Sequence, residues 1–231
     1  MRQTLWTYLG RVGYAEALAL QLAVREGVKR GEGKEHLLLL EHPPVYTLGR
    51  NATEKDVLAP RAWLEARGVE VIETDRGGQV TYHGPGQLVG YPVISLNPDR
   101  RDVRRYVRDL SFSLVDTLAG YGIAAAPGEG TAETGVWVEE RKIASLGIHL
   151  SRWVTTHGFA LNVTTDLAYF AGIVPCGMPS VTLTSIERER GLKPGLAEVA
   201  ERFVPAFAAR FEREMIAVPA EEVRGLCLST S

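Results

Sequence analysis

The sequence predicts an α+β fold in which a mixed, largely antiparallel sheet is flanked by helices. Helix-like and strand-like segments are interspersed along the 231 residues without the regular βαβ alternation of a doubly wound fold. Strand-like segments at residues 135–138, 141–150 and 153–163 follow one another with short turns between them, which is typical of consecutive antiparallel strands. The length suits one domain, and we expect it to span residues 1–231.

Apolar periodicity predicts the main helices. Residues 102–122 have the clearest pattern, because apolar side chains recur at helical spacing and a glycine follows. Residues 13–30 and 195–214 are predicted to form two more helices. Pro205 predicts a kink in the second of these. We expect that helix to be the last element, followed by a loose C-terminus. Other segments are a short helix at residues 60–68 and strands at residues 3–8 and 69–74. Residues 36–49 contain two strands separated by two prolines, and residues 76–96 contain a glycine turn followed by two strands separated by a Gly-Pro-Gly turn.

Composition excludes several classes of protein. A formal net charge of -2 does not indicate binding to nucleic acid or to a membrane surface. The first residues contain no apolar stretch typical of an export signal, so we expect a cytoplasmic protein in which Cys176 and Cys227 do not form a disulfide. The five histidines show no metal-ligand spacing and no phosphate-binding glycine motif is present, so we expect no metal and no cofactor.

Cys176 has two interpretations. A free cysteine is usually a small buried hydrophobic residue, and Cys227 receives that interpretation. Cys176, however, follows Pro175 and precedes Gly177 in a segment without helix or strand periodicity. A glycine there lets a substrate approach the main chain, and the nearby N–H groups suit a developing oxyanion. Cys176 is therefore a candidate nucleophile for acyl transfer.

Lys142 is the candidate partner of such a thiol. A thiol is a weak nucleophile until a neighbouring group favours the thiolate. The chain uses 21 arginines and only 5 lysines, yet a lysine stands in the strand-like segment RKIASLGIHL. Lysine can lose its proton when partly buried, whereas arginine cannot. The alternative is a lysine that keeps an edge strand soluble.

Other polar residues are weaker candidates. His83 and His157 lie beside glycines where a pocket wall is expected, whereas His36 and His42 flank a hydrophobic strand and are interpreted as structural. Four arginines form a basic face at the start of the helix at residues 102–122, which is either a solvated face or a docking surface for an acidic protein. They are Arg101, Arg104, Arg105 and Arg108.

Several segments together carry a resemblance to a known family. They are LLLLEHPPVYTLGR, RGGQVTYHGPGQLVGYPV, GVWV, RKIASLGIHLSRWVTTHGFALNV and IVPCG, within residues of about 37–187. In kind and in order they resemble the lipoyl(octanoyl) transferase family. That resemblance implies a single catalytic domain with the fold of biotin and lipoate ligases. Met178 and the proline in the last predicted helix are minor departures.

The resemblance also implies an activity. Such enzymes move an octanoyl group from octanoyl-acyl carrier protein to a lysine of lipoyl domains in 2-oxoacid dehydrogenase E2 subunits or of the glycine-cleavage H protein. It implies that Cys176 carries the acyl group as a thioester and that Lys142 is the acid/base, within hydrogen-bond reach of the sulfur. The implied substrate-binding residues are Arg76, Gly77, Gly78, Gln79, Val80, Thr81, Tyr82, His83, Ser145, Leu146, Gly147, Gly158, Phe159 and Ala160.

Three other functions stay open at this point. An ATP-dependent lipoate or biotin ligase has the same fold but needs no cysteine. An amidotransferase that moves octanoyl between two lipoyl proteins also uses a cysteine, so the sequence separates it poorly. A non-catalytic acyl-binding module has no use for a nucleophile. We expect no nucleic-acid or membrane partner and, since no feature requires a dimer, a monomer.

Overall fold

A computed structural model of the protein describes residues 1–128, 134–174 and 181–228, without the side chains of residues 227 and 228. The strands in chain order are β1 Arg2–Arg11, β2 Glu35–Glu41, β3 Val45–Leu48, β4 Glu70–Glu73, β5 Val80–His83, β6 Gln87–Val93, β7 Ala126–Pro127, β8 Gly135–Val138, β9 Arg141–Ser151, β10 Val154–Asn162, β11 Thr182–Leu183 and β12 Arg213–Ala217. The helices are α1 Tyr14–Arg30, α2 Arg61–Ala66, α3 Val103–Ala119, α4 Ile186–Arg190, α5 Leu196–Phe211 and α6 Ala220–Leu228, with 3-10 turns at Glu54–Asp56 and Leu167–Gly172.

The strands form a large mixed sheet and a small one. The large sheet has the order β12-β1-β2-β6-β10-β9-β8-β7, and β11 pairs with β9. β12, β1 and β2 are parallel neighbours. The pairs β2–β6, β6–β10, β10–β9 and β9–β8 are antiparallel. The small sheet has the order β4-β3-β5. The predicted α+β class, with a mixed and largely antiparallel sheet, is confirmed, as are the consecutive antiparallel strands β8, β9 and β10.

Helices cover both faces of the large sheet. The run Leu37–Leu40 is entirely buried, because its alternate side chains enter two different cores. Leu37 and Leu39 join the core that contains apolar residues of α3 and α5. Leu38 and Leu40 join a second core with Ala17 and Leu20 of α1. The two cores therefore lie on opposite faces of the sheet, with α3 and α5 on one and α1 on the other.

The prediction for the C-terminal region was wrong. The helix at residues 195–214 ends at Phe211, where Glu212 has a left-handed φ of 55°. It is not the last element, because β12 then pairs with β1 and α6 packs on α1 through the buried Val223. β12 has two charged residues followed by three apolar ones, without the alternation of a half-buried strand, so the sequence carried little signal for it. Its buried Arg213 forms an ion pair with Glu35 at 3.1 Å, a contact between residues far apart in the chain.

Candidate active site

A cavity of about 400 Å³ lies between β5 of the small sheet and β9 and β10 of the large sheet. Cavities of this size suit small ligands. Its wall combines apolar and polar side chains with the backbone of several glycines. It is formed by Tyr14, Asn51, Arg76, Gly78, Gln79, Val80, Thr81, His83, Tyr91, Thr134, Lys142, Ser145, Leu146, Gly147, His157, Gly158, Phe159 and Ala160.

The cavity brings together most of the residues that the sequence nominated, from three separate segments. Gly77 and Tyr82 are the nominated binding residues that do not line it. Gly77 instead donates its N–H to the carbonyl of Ile148 at 2.8 Å. The ring of Tyr82 stacks on that of Tyr169, with centroids 4.8 Å apart, on the far side of β5. Cys176 lies outside the described residues, so its expected hydrogen-bond distance from Lys142 stays a prediction.

Other wall residues were missed as binding residues. Tyr14 was read only as the start of a helix and Tyr91 only as part of a strand. Both line the wall, and α1, which begins at Tyr14, packs against β6, which carries Tyr91. Asn51 and Thr134 also line the wall, and no local pattern distinguished them from ordinary loop residues. His157 was a weak candidate in the sequence, and it lies in the wall.

Glycines on β9 and β10 allow close backbone contacts beside the cavity. Gly147 and Gly158 are paired across the two strands. A Cβ on Gly147 would lie 2.9 Å from the carbonyl oxygen of Gly77, and one on Gly158 would lie 2.2 Å from that of Gly90. Both distances are too short for any side chain. Gly147 therefore lets the loop before β5 lie directly on β9, and Gly158 lets β10 lie close to its neighbour β6 in the large sheet.

Arg76 anchors this loop from within the protein. Its side chain is buried, and its Nη2 donates to the carbonyl of Thr47 at 2.6 Å and to the Thr47 hydroxyl at 2.8 Å. Its Nη1 donates to the carbonyl of Gly77 at 3.1 Å. The guanidinium thus holds β3 and the glycine turn together. It also places a fixed positive charge at the cavity wall.

Lys142 is buried in the wall, with 1% of its surface exposed. It lies on β9, which pairs with β8, β10 and β11, so the alternative of a lysine that solubilises an edge strand is wrong. Its Nζ lies 5.2 Å from the ring centroid of Trp137. Burial of an ammonium group is costly unless the protein gains from it. A buried lysine facing a ligand-sized cavity is suited to proton transfer.

Gly135 makes room for this lysine. It has a φ of +154°, and an added Cβ would lie 2.5 Å from both the Lys142 Cε and the Ala144 carbonyl oxygen. We expect Gly135→Ala to displace Lys142 and to lower the rate of acyl transfer about 10- to 100-fold, since small displacements at a reacting centre cost that much. Steady-state transfer assays measure this.

The control for that substitution is Gly191→Ala. Gly191 also has a positive φ, of +68°, but an added Cβ there would meet nothing within 4 Å. It should cost only conformational strain of about 1–2 kcal/mol and leave transfer unchanged. Equal rates for Gly135→Ala and Gly191→Ala would show that Gly135 does not position Lys142.

A cluster of aromatic rings closes one side of the cavity. The ring of His42 lies 5.3 Å from that of Tyr14, 5.7 Å from that of His83 and 6.0 Å from that of Tyr91. Its Nδ1–H donates to the carbonyl of Val12 at 2.7 Å, so its Nε2 accepts from the Tyr91 hydroxyl at 2.8 Å. This direction at Nε2 is that of the neutral imidazole, since a protonated ring would donate at both nitrogens. His42 thereby supports a wall residue without lining the cavity, which agrees with its interpretation as structural.

Burial lowers the pKa of His42 from 6.5 to about 4, against the opposing hydrogen bond to Val12. Between these pH values the unfolded chain binds more protons at this histidine than the folded protein does. The contribution of His42 to the free energy of unfolding is therefore fully present above pH 6.5 and is lost as the pH falls towards 4. We expect the free energy of unfolding to fall by about 2 kcal/mol from this group between pH 7 and pH 5. Urea unfolding at several pH values measures this loss.

Two variants isolate the contribution of His42. His42→Gln should be less stable at pH 7 but should lose less stability on acidification than the wild type. Thr117→Val removes a buried hydrogen bond of 2.7 Å to Ser113 in α3 and introduces no titrating group. This variant should retain the full pH dependence of the free energy of unfolding. If His42→Gln showed the same slope as Thr117→Val, His42 would not be the titrating group.

His157 forms a second polar cluster at the cavity. Its Nε2 lies 2.7 Å from the carboxylate of Asp75, and its main-chain N–H donates to the Gln21 side chain at 2.7 Å. Burial lowers the pKa of His157, although Asp75 acts in the opposite direction. His149 lies 3.6 Å from the same carboxylate and is hydrogen-bonded to Arg50. Asp75 therefore orients His157 in the wall while leaving it neutral.

Comparison with known proteins places the chain in a family. Residues 13–208 match the family model described as the lipoyl protein ligase A/B catalytic domain. The chain belongs to this family. This catalytic domain is 51% identical over 218 residues to an octanoyltransferase of Solibacter usitatus, covering 94% of the chain and 96% of the relative. It is 50% identical over 217 residues to an octanoyltransferase of Myxococcus xanthus, covering 91% of the chain and 60% of that relative.

A solved structure shows that the fold is shared beyond these relatives. A putative lipoate protein ligase from T. acidophilum is 18% identical in sequence and superposes with a TM-score of 0.75, over 99% of this chain and 93% of that one. The predicted fold of biotin and lipoate ligases is therefore confirmed for this lipoyl protein ligase A/B catalytic domain. The resemblance drawn from the sequence motifs is confirmed as well.

Other features of this family member lie away from the cavity. Arg104, Arg105 and Arg108 are exposed on α3, and Arg101 is exposed just before it. α3 packs on the face of the sheet opposite α1, whose Tyr14 lines the cavity. This placement favours a solvated basic face over a docking surface.

Among the described residues, no three acidic, histidine or cysteine side chains are arranged to hold a metal. No helix in that part of the chain is long and apolar enough to cross a membrane.

Proposed function

We propose that this enzyme moves an octanoyl group from octanoyl-acyl carrier protein to a lysine ε-amino group of a lipoate-dependent protein, through a thioester on Cys176. The observation that carries the proposal is the buried Lys142 in the wall of a cavity of about 400 Å³. About half the residues are identical to those of relatives named octanoyltransferase, over almost the whole chain. The acceptors are lipoyl domains of 2-oxoacid dehydrogenase E2 subunits and the glycine-cleavage H protein.

The chemistry needs no external activation. In the first half, Lys142 takes the proton of the Cys176 thiol, and the thiolate attacks the donor thioester. The carrier thiolate leaves and takes that proton back from Lys142. In the second half, the acceptor amine attacks the Cys176 thioester, passes a proton to Lys142, and the cysteine leaves as a thiol. The exchange of thioesters is nearly isoenergetic, and amide formation drives the sequence forward.

The wall of the cavity supports binding of an acyl chain. Apolar side chains of Tyr14, Val80 and Tyr91 line it together with the backbone of Gly147 and Gly158. In this proposal residues 1–231 act as one catalytic domain in the cytoplasm, as a monomer and without a cofactor. The pairing of β12 with β1 supports a single domain, because it ties the end of the chain to its beginning.

The test is a transfer assay in which a lipoyl domain is the acceptor and the acyl donor is varied. The purified protein is incubated with octanoyl-acyl carrier protein and an E2 lipoyl domain without ATP, and intact mass spectrometry should show one octanoyl group on the acceptor. Free octanoate with ATP should transfer nothing, and transfer in that reaction would indicate a ligase instead. Octanoyl-H protein should be a poor donor, and a preference for it would indicate an amidotransferase. No transfer from any donor would indicate a binding module.

A further inference from the structure

A buried relay of side-chain amides connects His83 with the strand that carries Lys142. His83 Nδ1 lies 2.8 Å from the Gln87 Oε1. The Gln87 Nε2 donates to the Asn162 Oδ1 at 3.0 Å, and the Asn162 Nδ2 donates to the carbonyl of Thr184 at 3.1 Å. The N–H of Thr184 donates to the carbonyl of Lys142 at 3.0 Å. These residues are all buried, so water does not replace their hydrogen bonds.

Main-chain carbonyls fix the direction of the whole relay. The Gln87 Nε2 also donates to the carbonyl of Tyr82 at 3.2 Å. Carbonyl oxygens only accept, so the amide nitrogen of Gln87 must face Tyr82 and that of Asn162 must face Thr184. The Gln87 oxygen is then left for His83, whose Nδ1 must carry the hydrogen. His83 is therefore held in one tautomer, with its lone pair on Nε2.

The surroundings of His83 keep the ring neutral. Burial lowers its pKa well below 6.5, and the neighbouring His42 and the Arg76 charge lower it further, against the hydrogen bond to Gln87. Tyr14 stacks on the ring at 6.4 Å with 13° between the planes. His157 lies in the same wall, and it also opposes a positive charge on His83. A neutral ring with a lone pair on Nε2 accepts a hydrogen bond and donates none there, which excludes a role as oxyanion donor.

We propose that His83 Nε2 accepts a hydrogen bond from the ε-amine of the acceptor lysine, and that Gln87 and Asn162 are positioning residues that hold His83 in the tautomer this requires. The inference rests on the proposed function. A neutral amine has two N–H groups and one lone pair. If one N–H donates to Lys142 and the other to His83, both of which line the cavity, the lone pair is left to point at the thioester carbon.

The step balances without another reactant. The amine lone pair forms the C–N bond, and one amine proton passes to Lys142. The C–S bond breaks, and the Cys176 sulfur takes that proton from Lys142. The second N–H stays on the product amide and donates to His83 Nε2 throughout. In the first half-reaction the nucleophile is a thiolate, which has no N–H to donate, so that step does not need His83.

The first experiment reads the tautomer directly. Long-range ¹H–¹⁵N correlation spectra of the protein labelled with ¹⁵N-histidine should show a protonated Nδ1 and an unprotonated Nε2 for His83 in the wild type. In Gln87→Met, which has no amide oxygen, the hydrogen should move at least partly to Nε2. A wild type protonated at Nε2, or an unchanged tautomer in Gln87→Met, would overturn the inference, whatever the enzyme's activity.

The second experiment separates the two half-reactions. Formation of the acyl-enzyme is followed by intact mass without acceptor, and its decay is followed after addition of a lipoyl domain. Gln87→Met should slow the decay about 10- to 100-fold and leave formation within about threefold of the wild type. Equal loss in both half-reactions would indicate a merely structural role. A wild type that forms no acyl-enzyme but still transfers would contradict the thioester and not the relay.

Two further variants sharpen this test. Gln87→Glu keeps an acceptor for Nδ1–H, but its negative charge favours the protonated ring, so transfer should be lost at a higher pH than in the wild type as the solution is acidified. An unshifted pH profile would count against His83 as an acceptor. Thr117→Val in α3 controls for loss of a buried hydrogen bond and should leave both half-reactions and the tautomer unchanged.

Discussion

Lys142→Met is expected to lower kcat/KM for octanoyl transfer by about 10²–10⁴-fold, the range that a positioned acid/base contributes. Methionine has nearly the same length as lysine and suits the buried site, in which 1% of the lysine is exposed. The fold should therefore persist, and circular dichroism together with urea unfolding checks this. The loss of rate then reports the missing proton acceptor.

Lys142→Arg tests whether charge alone suffices. Arginine keeps a cation near the ring of Trp137 but does not give up its proton near neutral pH. If Lys142 acts by accepting protons, this variant should be nearly as slow as Lys142→Met. Rates close to the wild type in Lys142→Arg would mean that a fixed positive charge is enough and that proton transfer goes elsewhere.

Cys176→Ser is expected to abolish the covalent intermediate and to lower the transfer rate at least about 10³-fold, because a hydroxyl is a far weaker nucleophile than a thiolate. Intact mass spectrometry after incubation with octanoyl-acyl carrier protein should show one added octanoyl group on the wild type and none on this variant. Cys227→Ser is the matched control, because it removes the other cysteine of the chain and should keep both the adduct and the rate.

The kinetics of the wild type offer a second view of the same step. A thioester intermediate predicts ping-pong kinetics, in which double-reciprocal plots for the two substrates are parallel. Direct transfer from carrier protein to acceptor would instead require both substrates at once. Wild-type rates in Cys176→Ser, or an adduct on Cys227, would contradict the proposed mechanism.

Local sequence patterns predicted most of the elements because those elements have strong local signals. α3 has a regular apolar stripe and an N-terminal Asp102 that accepts from the Arg105 N–H at 3.0 Å. β12 and α6 escaped prediction because their stability comes from β1 and α1, which are distant in the chain. The glycine-rich segment at residues 76–86 was recognised as a pocket wall by its motif. Which of its side chains line the cavity was decided by packing, since Tyr82 points to the opposite core.

By itself the sequence determined the order of the main helices and strands before β12, the family and the nominated pair Cys176 and Lys142. Those properties follow from local periodicity and from motifs that are contiguous in the chain. Only the tertiary structure decided that Lys142 is buried in a cavity wall, that Gly135 makes room for it, and that two amides fix the tautomer of His83. Burial, close approach and hydrogen-bond direction depend on atoms brought together by pairing of distant strands, which no local pattern records.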